Sequence, residues 1–307
     1  MNIPLAIGLQ VVGSFLFASG ATLQHLGVKG TFDPNGRASS NRLTFAGMLR
    51  LFLIPKWLLG LLFVLCGAGF HLYALTMAPV AVVQPVGILA VPWSVLLAQK
   101  IHGHKVTMRI WGAVAITIVG VVGFTVFSSL FATAKDEEFN FTGITWAFLV
   151  VCGICAILSY FATRAAAWAR AILWSSVGAI FYGLASGMMK AAMNLVQDHG
   201  KGLLEWDVLV VIAYMIACYG LGVWMIQQGY ASGPAEITVG TMTTVDPFVA
   251  VLFGLFVLGE GRGMGLGAAA GMVISGAIAV YGVVLLSQHH PDAVEERRLD
   301  EATDVTP

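Results

Sequence analysis

One acidic side chain stands where water should be absent. Asp246 falls near the middle of the apolar run 235–258, directly before Pro247. A carboxylate at the centre of a membrane span costs at least about 2.5–3.5 kcal/mol by insertion scales, so it needs a partner or a task. Pro247 has no N–H, which frees a backbone carbonyl one turn earlier, near Thr243, for a ligand. Desolvation opposes the charged form of Asp246, and that suits proton coupling as well as substrate binding. The alternative is a protonated or paired structural aspartate. Glu236 opens the same segment, where it can cap helix N–H groups or serve a site. Glu260, beside Arg262, is expected at the surface.

Neutral side chains widen the candidate set. His71 lies about two-thirds along the run 57–77, too deep for a loop, and either bonds a neighbouring helix or joins the site. Gln84, beside Pro85, can coordinate a polar ligand or tie two helices, and Gln227 and Gln228 are similar. Trp93, Tyr182, Trp224 and Tyr230 can line a cavity for a drug-like substrate or pack against lipid and neighbouring helices. Lys190 sits near a span end and can snorkel to the interface. The expected substrate-binding set is therefore Asp246, Thr243, His71, Gln84, Trp93, Tyr182, Trp224 and Gln228.

Other patterns imply less. Cys152 and Cys155 form a C-x-x-C in mid-run, with no second pair and no nearby histidine, so they are expected to pack rather than to bind metal. The glycines from Gly259 to Gly271 follow no strand, which excludes a phosphate-binding loop. No serine–histidine–acid set, paired catalytic carboxylates or metalloprotease motif is present, so neither an enzyme nor a bound cofactor is expected. Net charge is zero, and no basic field points to nucleic acid.

These residues need elements to hold them, and composition names the class. Apolar residues make up 58% of the chain and charged residues 10%, far too apolar for one soluble core, so the lipid bilayer is the expected surrounding. Runs of spanning length occur at 3–27, 57–77, 79–101, 108–131, 142–161, 171–193, 207–229, 235–258 and 264–287. The expected fold is all-α, a polytopic membrane protein of nine helices. Segment 43–55 is short, carries Arg50 and ends at Pro55, so it is expected as a half-inserted or surface helix, with ten spans if it also crosses. The first run is too long for a signal-peptide core and is expected to be retained. Gly183 with Gly187, and Gly263, Gly267, Gly271 and Ser275, form stripes that let helices approach closely.

Basic residues orient the chain. With the loop 28–56 in the cytoplasm, Lys29, Arg37, Arg42, Arg50, Lys56, Lys100, Lys105, Arg109, Arg164, Arg170, Arg297 and Arg298 fall inside. Lys135, Lys201 and Arg262 fall outside, and the positive-inside rule prefers this arrangement. The expected location is the plasma (inner) membrane, with the polar tail 288–307 disordered in the cytoplasm. The N-terminus is outside with nine spans and inside with ten.

An internal repeat organises the whole chain. Pro79 and Pro234 stand 155 residues apart, as do Pro92 and Pro247, and the surrounding residues align without a gap. The halves 1–131 and 171–287 flank a linker span within 132–170. An odd linker span turns the second half upside down, an inverted-topology repeat of the kind secondary transporters use for alternating access.

The run "YALTMAPVAVVQPVGILAVPWSVLLA" and its second-half echo "GPAEITVGTMTTVDPFVAVLFGLFVLGEG" resemble the drug/metabolite transporter superfamily, nearest its EamA-like and NIPA-type (magnesium transporter-like) branches. "LFASGATLQHLGVK" and "GAIFYGLASGMMKAAMN" look like the first helices of the two halves. The first half departs from the pattern, with His102-Gly103-His104-Lys105 where the second has Gly259-Glu260. Together with the repeat, the resemblance implies a secondary transporter of a small organic metabolite or drug, with proton coupling at Asp246. The NIPA-type branch implies a second cargo, Mg²⁺ or another divalent cation, with oxygen ligands from Asp246, Gln84 and Glu236. A lipid-linked precursor flippase and a non-transporting membrane assembly partner represent another class, and a homodimer is compatible with each.

Overall fold

The computed structural model describes residues 3–29, 43–77, 86–102, 106–131, 141–197, 199–259 and 265–289. Gln84, Glu260, Arg262, Gly263, the acidic loop around Lys135 and the tail from 290 lie outside these residues. Among the described residues there are ten helices and no strand: α1 (Ile3–Lys29), α2 (Phe45–Leu51), α3 (Pro55–Met77), α4 (Ala90–His102), α5 (Met108–Phe131), α6 (Phe141–Arg164), α7 (Ala167–Gln197), α8 (Trp206–Ser232), α9 (Ala235–Phe256) and α10 (Leu266–His289).

Seven of these helices are long and apolar enough to cross a membrane: α1, α5, α6, α7, α8, α9 and α10. Helices α2 and α3 pass the same test as a pair and make an eighth if counted as one span, bent by 76° at the break before Pro55. Thr44 caps α2 by accepting the Gly47 N–H at 3.1 Å, and Pro55 starts α3 where its missing N–H is harmless. Segment 43–55 is thus a short helix turned sharply away from α3. The expected span at 79–101 is represented by α4 and the turn before it, since 79–85 lies outside the described residues. Apolar side chains remain exposed along these helices, including Leu149, Val150, Ile154, Ile157 and Phe161 on α6. That is the surface lipid would solvate.

Close glycine contacts set the packing. A Cβ at Gly20 on α1 would lie 2.6 Å from the Gly60 carbonyl oxygen on α3, and one at Gly60 would lie 2.7 Å from that of Gly20. Neither backbone can yield, so only glycine lets these helices meet. Helices α5 and α10 cross as closely: a Cβ at Gly271 would meet the Phe127 ring at 2.6 Å, and one at Gly123 would meet Ser275 Oγ at 2.8 Å. Gly267 faces open space, so the expected stripe on α10 is only partly used for packing. Helix α9 packs against α4, α5, α7, α8, α10 and α1, which sets Asp246 on a helix with neighbours from both halves of the chain.

Chain direction brings α1's end, α3's start, α8's end and α9's start together. Lys29, Arg50, Lys56, Arg109, Arg164 and Arg170 flank the helix ends on this side, here termed the basic end. At the other end, Lys201 pairs with Asp207 and Glu205. The hydrogen bond to Asp207 is the main reason the Lys201 ammonium is held above the usual lysine range.

Candidate functional site

Asp246 lies at the twelfth position of the 22-residue helix α9, about 16 Å of helix rise from its start. Pro247 sits inside the helix, so the Thr243 carbonyl loses its usual donor. Side-chain hydroxyls support the same stretch from within. Thr241 donates to the Ile237 carbonyl at 2.7 Å, and Thr243 donates to Val239 at 2.9 Å and Gly240 at 3.2 Å. The helix therefore stays continuous through its proline, with one carbonyl lacking its usual helical donor. The first half differs: a turn at Ile88–Leu89 interrupts the chain just before α4 and Pro92. There the Leu89 N–H reaches back three residues, to Val86, at 3.1 Å.

Helix α7 fixes the backbone around Asp246. A Cβ at Gly183 would stand 2.5 Å from the Asp246 carbonyl oxygen, and one at Gly187 would stand 2.5 Å from the Phe253 ring. The expected Gly183–Gly187 stripe is thus the seam between α7 and α9. The half-buried Asp246 carboxyl is within electrostatic reach of the phenols of Tyr182 and Tyr219. Those rings lie 6.0 Å apart at 49°. Gly222 makes room for Tyr182, since a Cβ there would lie 2.6 Å from the ring. Beside them the exposed Ser186 hydroxyl donates to the Tyr182 carbonyl at 3.1 Å. A carboxylate, two phenols and a carbonyl without its usual helical donor are all electron-rich, an arrangement that attracts positive charge. Tyr219 was not singled out by sequence reasoning. Its signal was available only as an aromatic residue in an apolar run.

The remaining candidates gather elsewhere. His71 Nδ1 lies 2.9 Å from Gln10 Oε1, a pairing of α3 with α1. Trp93 meets Phe15 edge-on at 5.6 Å, and its buried indole N–H has no hydrogen-bond partner among the described residues. Trp224 packs on Phe45 of α2 at 5.8 Å. Gln228 bonds the Leu43 backbone twice, accepting its N–H at 2.9 Å and donating to its carbonyl at 2.6 Å. Gln227 accepts the Trp57 indole N–H at 2.9 Å and donates to Gln24 at 3.2 Å. His25 Nδ1 stands 3.0 Å from the Tyr230 carbonyl. Glu236 is buried in the first turn of α9. The candidate set thus divides into a middle group (Asp246, Thr243, Tyr182), a basic-end group (Trp224, Gln228, Glu236) and two residues packed with α1 (His71, Trp93).

No group of three or more His, Cys, Asp or Glu side chains among the described residues is arranged to hold a metal ion. Cys152 and Cys155 are free thiols on α6, and Cys155 is packed against α7 with its sulfur 4.0 Å from the Val177 carbonyl.

Two proteins show sequence similarity to this chain. One, from Arabidopsis thaliana, is named "Probable magnesium transporter NIPA9" and is 28% identical over 250 residues, covering 75% of this chain and 68% of its own. The other, an uncharacterized protein of Corynebacterium glutamicum, is 22% identical over 261 residues, covering 83% of this chain and 85% of its own. No family model and no solved structure matches. The apolar helices and the transporter homologue support an integral, multi-pass membrane protein with a role in membrane transport.

Proposed function

We propose that this chain is a secondary transporter that works by alternating access, with Asp246 at the centre of its path and a cation as its cargo. The observation that carries the reading is the lone mid-helix carboxylate beside Tyr182 and Tyr219, with the Thr243 carbonyl freed by Pro247. Mg²⁺ is the first cargo to test. A homologue bears that name, and Mg²⁺ keeps several waters, so one or two protein carboxylates suffice. Glu236 starts the same helix about 15 Å of rise from Asp246 and would serve a different point on the path. A small organic cation is the second reading, favoured by the Tyr182–Tyr219 ring pair.

The packing supports two equivalent halves. Helix α1 packs on α3 and α4 as α7 packs on α8 and α9, while α4 meets α9 and α5 meets α10 across the halves. Gly13 approaches Gly67 and His71 as Gly178 approaches Gly222 and Ile226. Gly67 with Gly222, and His71 with Ile226, are each 155 residues apart, the offset of the paired prolines. Related halves of opposite orientation would give similar energies to the two open states. The concentration of arginine and lysine at the basic end supports placing that end in the cytoplasm.

The test is flux into proteoliposomes carrying an internal Mg²⁺ indicator and a pH dye. Wild type should admit Mg²⁺ down its gradient, and Asp246→Asn should not. Organic-cation flux without Mg²⁺ flux would select the second reading. If wild type moves neither, the proposal fails.

A further inference from the structure

The polar groups at the basic end join parts of the chain that alternating access must separate. Trp57 on α3 bonds Gln227 on α8, which continues to Gln24 on α1. Gln228 holds Leu43, just ahead of α2, by both backbone atoms, and the His25 ring meets the Tyr230 carbonyl. Each of these contacts links the first half of the chain to the second. Gln24, Trp57, Gln227 and Gln228 are all buried, so water does not share their hydrogen bonds.

Helix α2 closes over this network. Its Phe45 packs on Trp224, Phe52 just beyond it meets Trp57 at 4.9 Å, and Met48 and Leu51 are buried beneath it. Its outer side exposes Leu49 and Arg50, and the 76° bend before Pro55 makes it a separate arm rather than a continuation of α3. We propose that Gln24, Trp57, Gln227 and Gln228, with α2 seated on them, form the gate that closes the basic end of the transport path. This rests on the alternating-access reading above.

Chemistry favours a joint that opens over one that is permanent. An apolar seam of this size would expose its whole face to water on parting. Amide and indole groups instead exchange protein partners for water, so the open and closed forms lie closer in energy. Gln228 suits the role because one amide supplies both the acceptor and the donor that Leu43 requires. Since those partners are backbone atoms, a side-chain change at position 43 leaves the clamp in place.

The experiment uses the full chain in proteoliposomes, with Cys66, Cys152, Cys155 and Cys218 replaced by alanine and Leu43→Cys as the reporter. A membrane-impermeant maleimide added from the basic end should label the new thiol slowly, because Leu43 is only 4% exposed. Gln228→Ala should raise that rate about tenfold. Gln228→Glu keeps the acceptor and loses the donor, so it should give an intermediate rate, and it carries the test if the alanine variant fails to fold. Unchanged labelling overturns the gate. In a second arm, Leu43→Cys/Gln228→Cys joined by a short bifunctional maleimide should stop Mg²⁺ flux. Cross-linked protein that transports at the unlinked rate also overturns the gate. If the unlinked protein moves no Mg²⁺, the cargo reading fails on its own, while labelling still decides the gate.

Discussion

Gln227 and Asp246 sit on adjoining helices, yet their surroundings differ in kind. Gln227 has a donor in Trp57 and an acceptor in Gln24, and its neighbour Gln228 is matched on both sides by Leu43. Around Asp246 the structure places two phenols, a proline and a carbonyl without its helical donor. Buried polar groups that satisfy one another join helices closely, and on parting they can exchange those partners for water. A carboxylate set among electron-rich neighbours instead raises local demand for positive charge. The first region is built to join elements, and the second to receive something.

Substitutions can break or sharpen this contrast. The largest effect is expected at Asp246: asparagine there should remove transport while leaving the melting temperature unchanged or higher, since a half-buried charge is relieved. Flux and thermal melting of one preparation check both halves of that statement, and a large drop in melting temperature would mark Asp246 as structural. Gly183→Ala should come next. Its new Cβ would meet the Asp246 carbonyl at 2.5 Å, and forcing α7 from α9 should cost about 1–3 kcal/mol, read by denaturant or thermal unfolding. Trp57→Phe keeps the ring contact with Phe52 but strands the Gln227 acceptor. A loss of about 1–3 kcal/mol is expected, and a neutral result would mean that water replaces the indole. Tyr219→Phe should be the mildest, changing the KM for the transported cation several-fold without loss of stability. If KM stays the same, the phenol is no part of the site.

Much of the helical layout was legible in the sequence because hydropathy is a local property. The runs around α1, α5 and α6 to α10 were each readable within a residue or a few of their observed ends. Length, Arg50 and Pro55 set segment 43–55 apart in the sequence, but its 76° turn depends on what α2 packs against. Asp246 stood out because charge is rare in such a run. Tyr219 did not, because aromatics are common there. Gln227 and Gln228 were noticed as either ligands or ties between helices, and the choice stayed open because a glutamine's partners are invisible along the chain.

By itself the sequence determined the class, the helical segments and the one mid-helix carboxylate, all properties carried within about twenty residues of chain. Tertiary structure decided which polar groups meet. Trp57 and Gln227 are 170 residues apart, and Gln24 and Gln227 are 203 apart. No local pattern encodes such pairings; they exist because glycines such as Gly20 and Gly60 let backbones approach until side chains on three helices come within bonding distance.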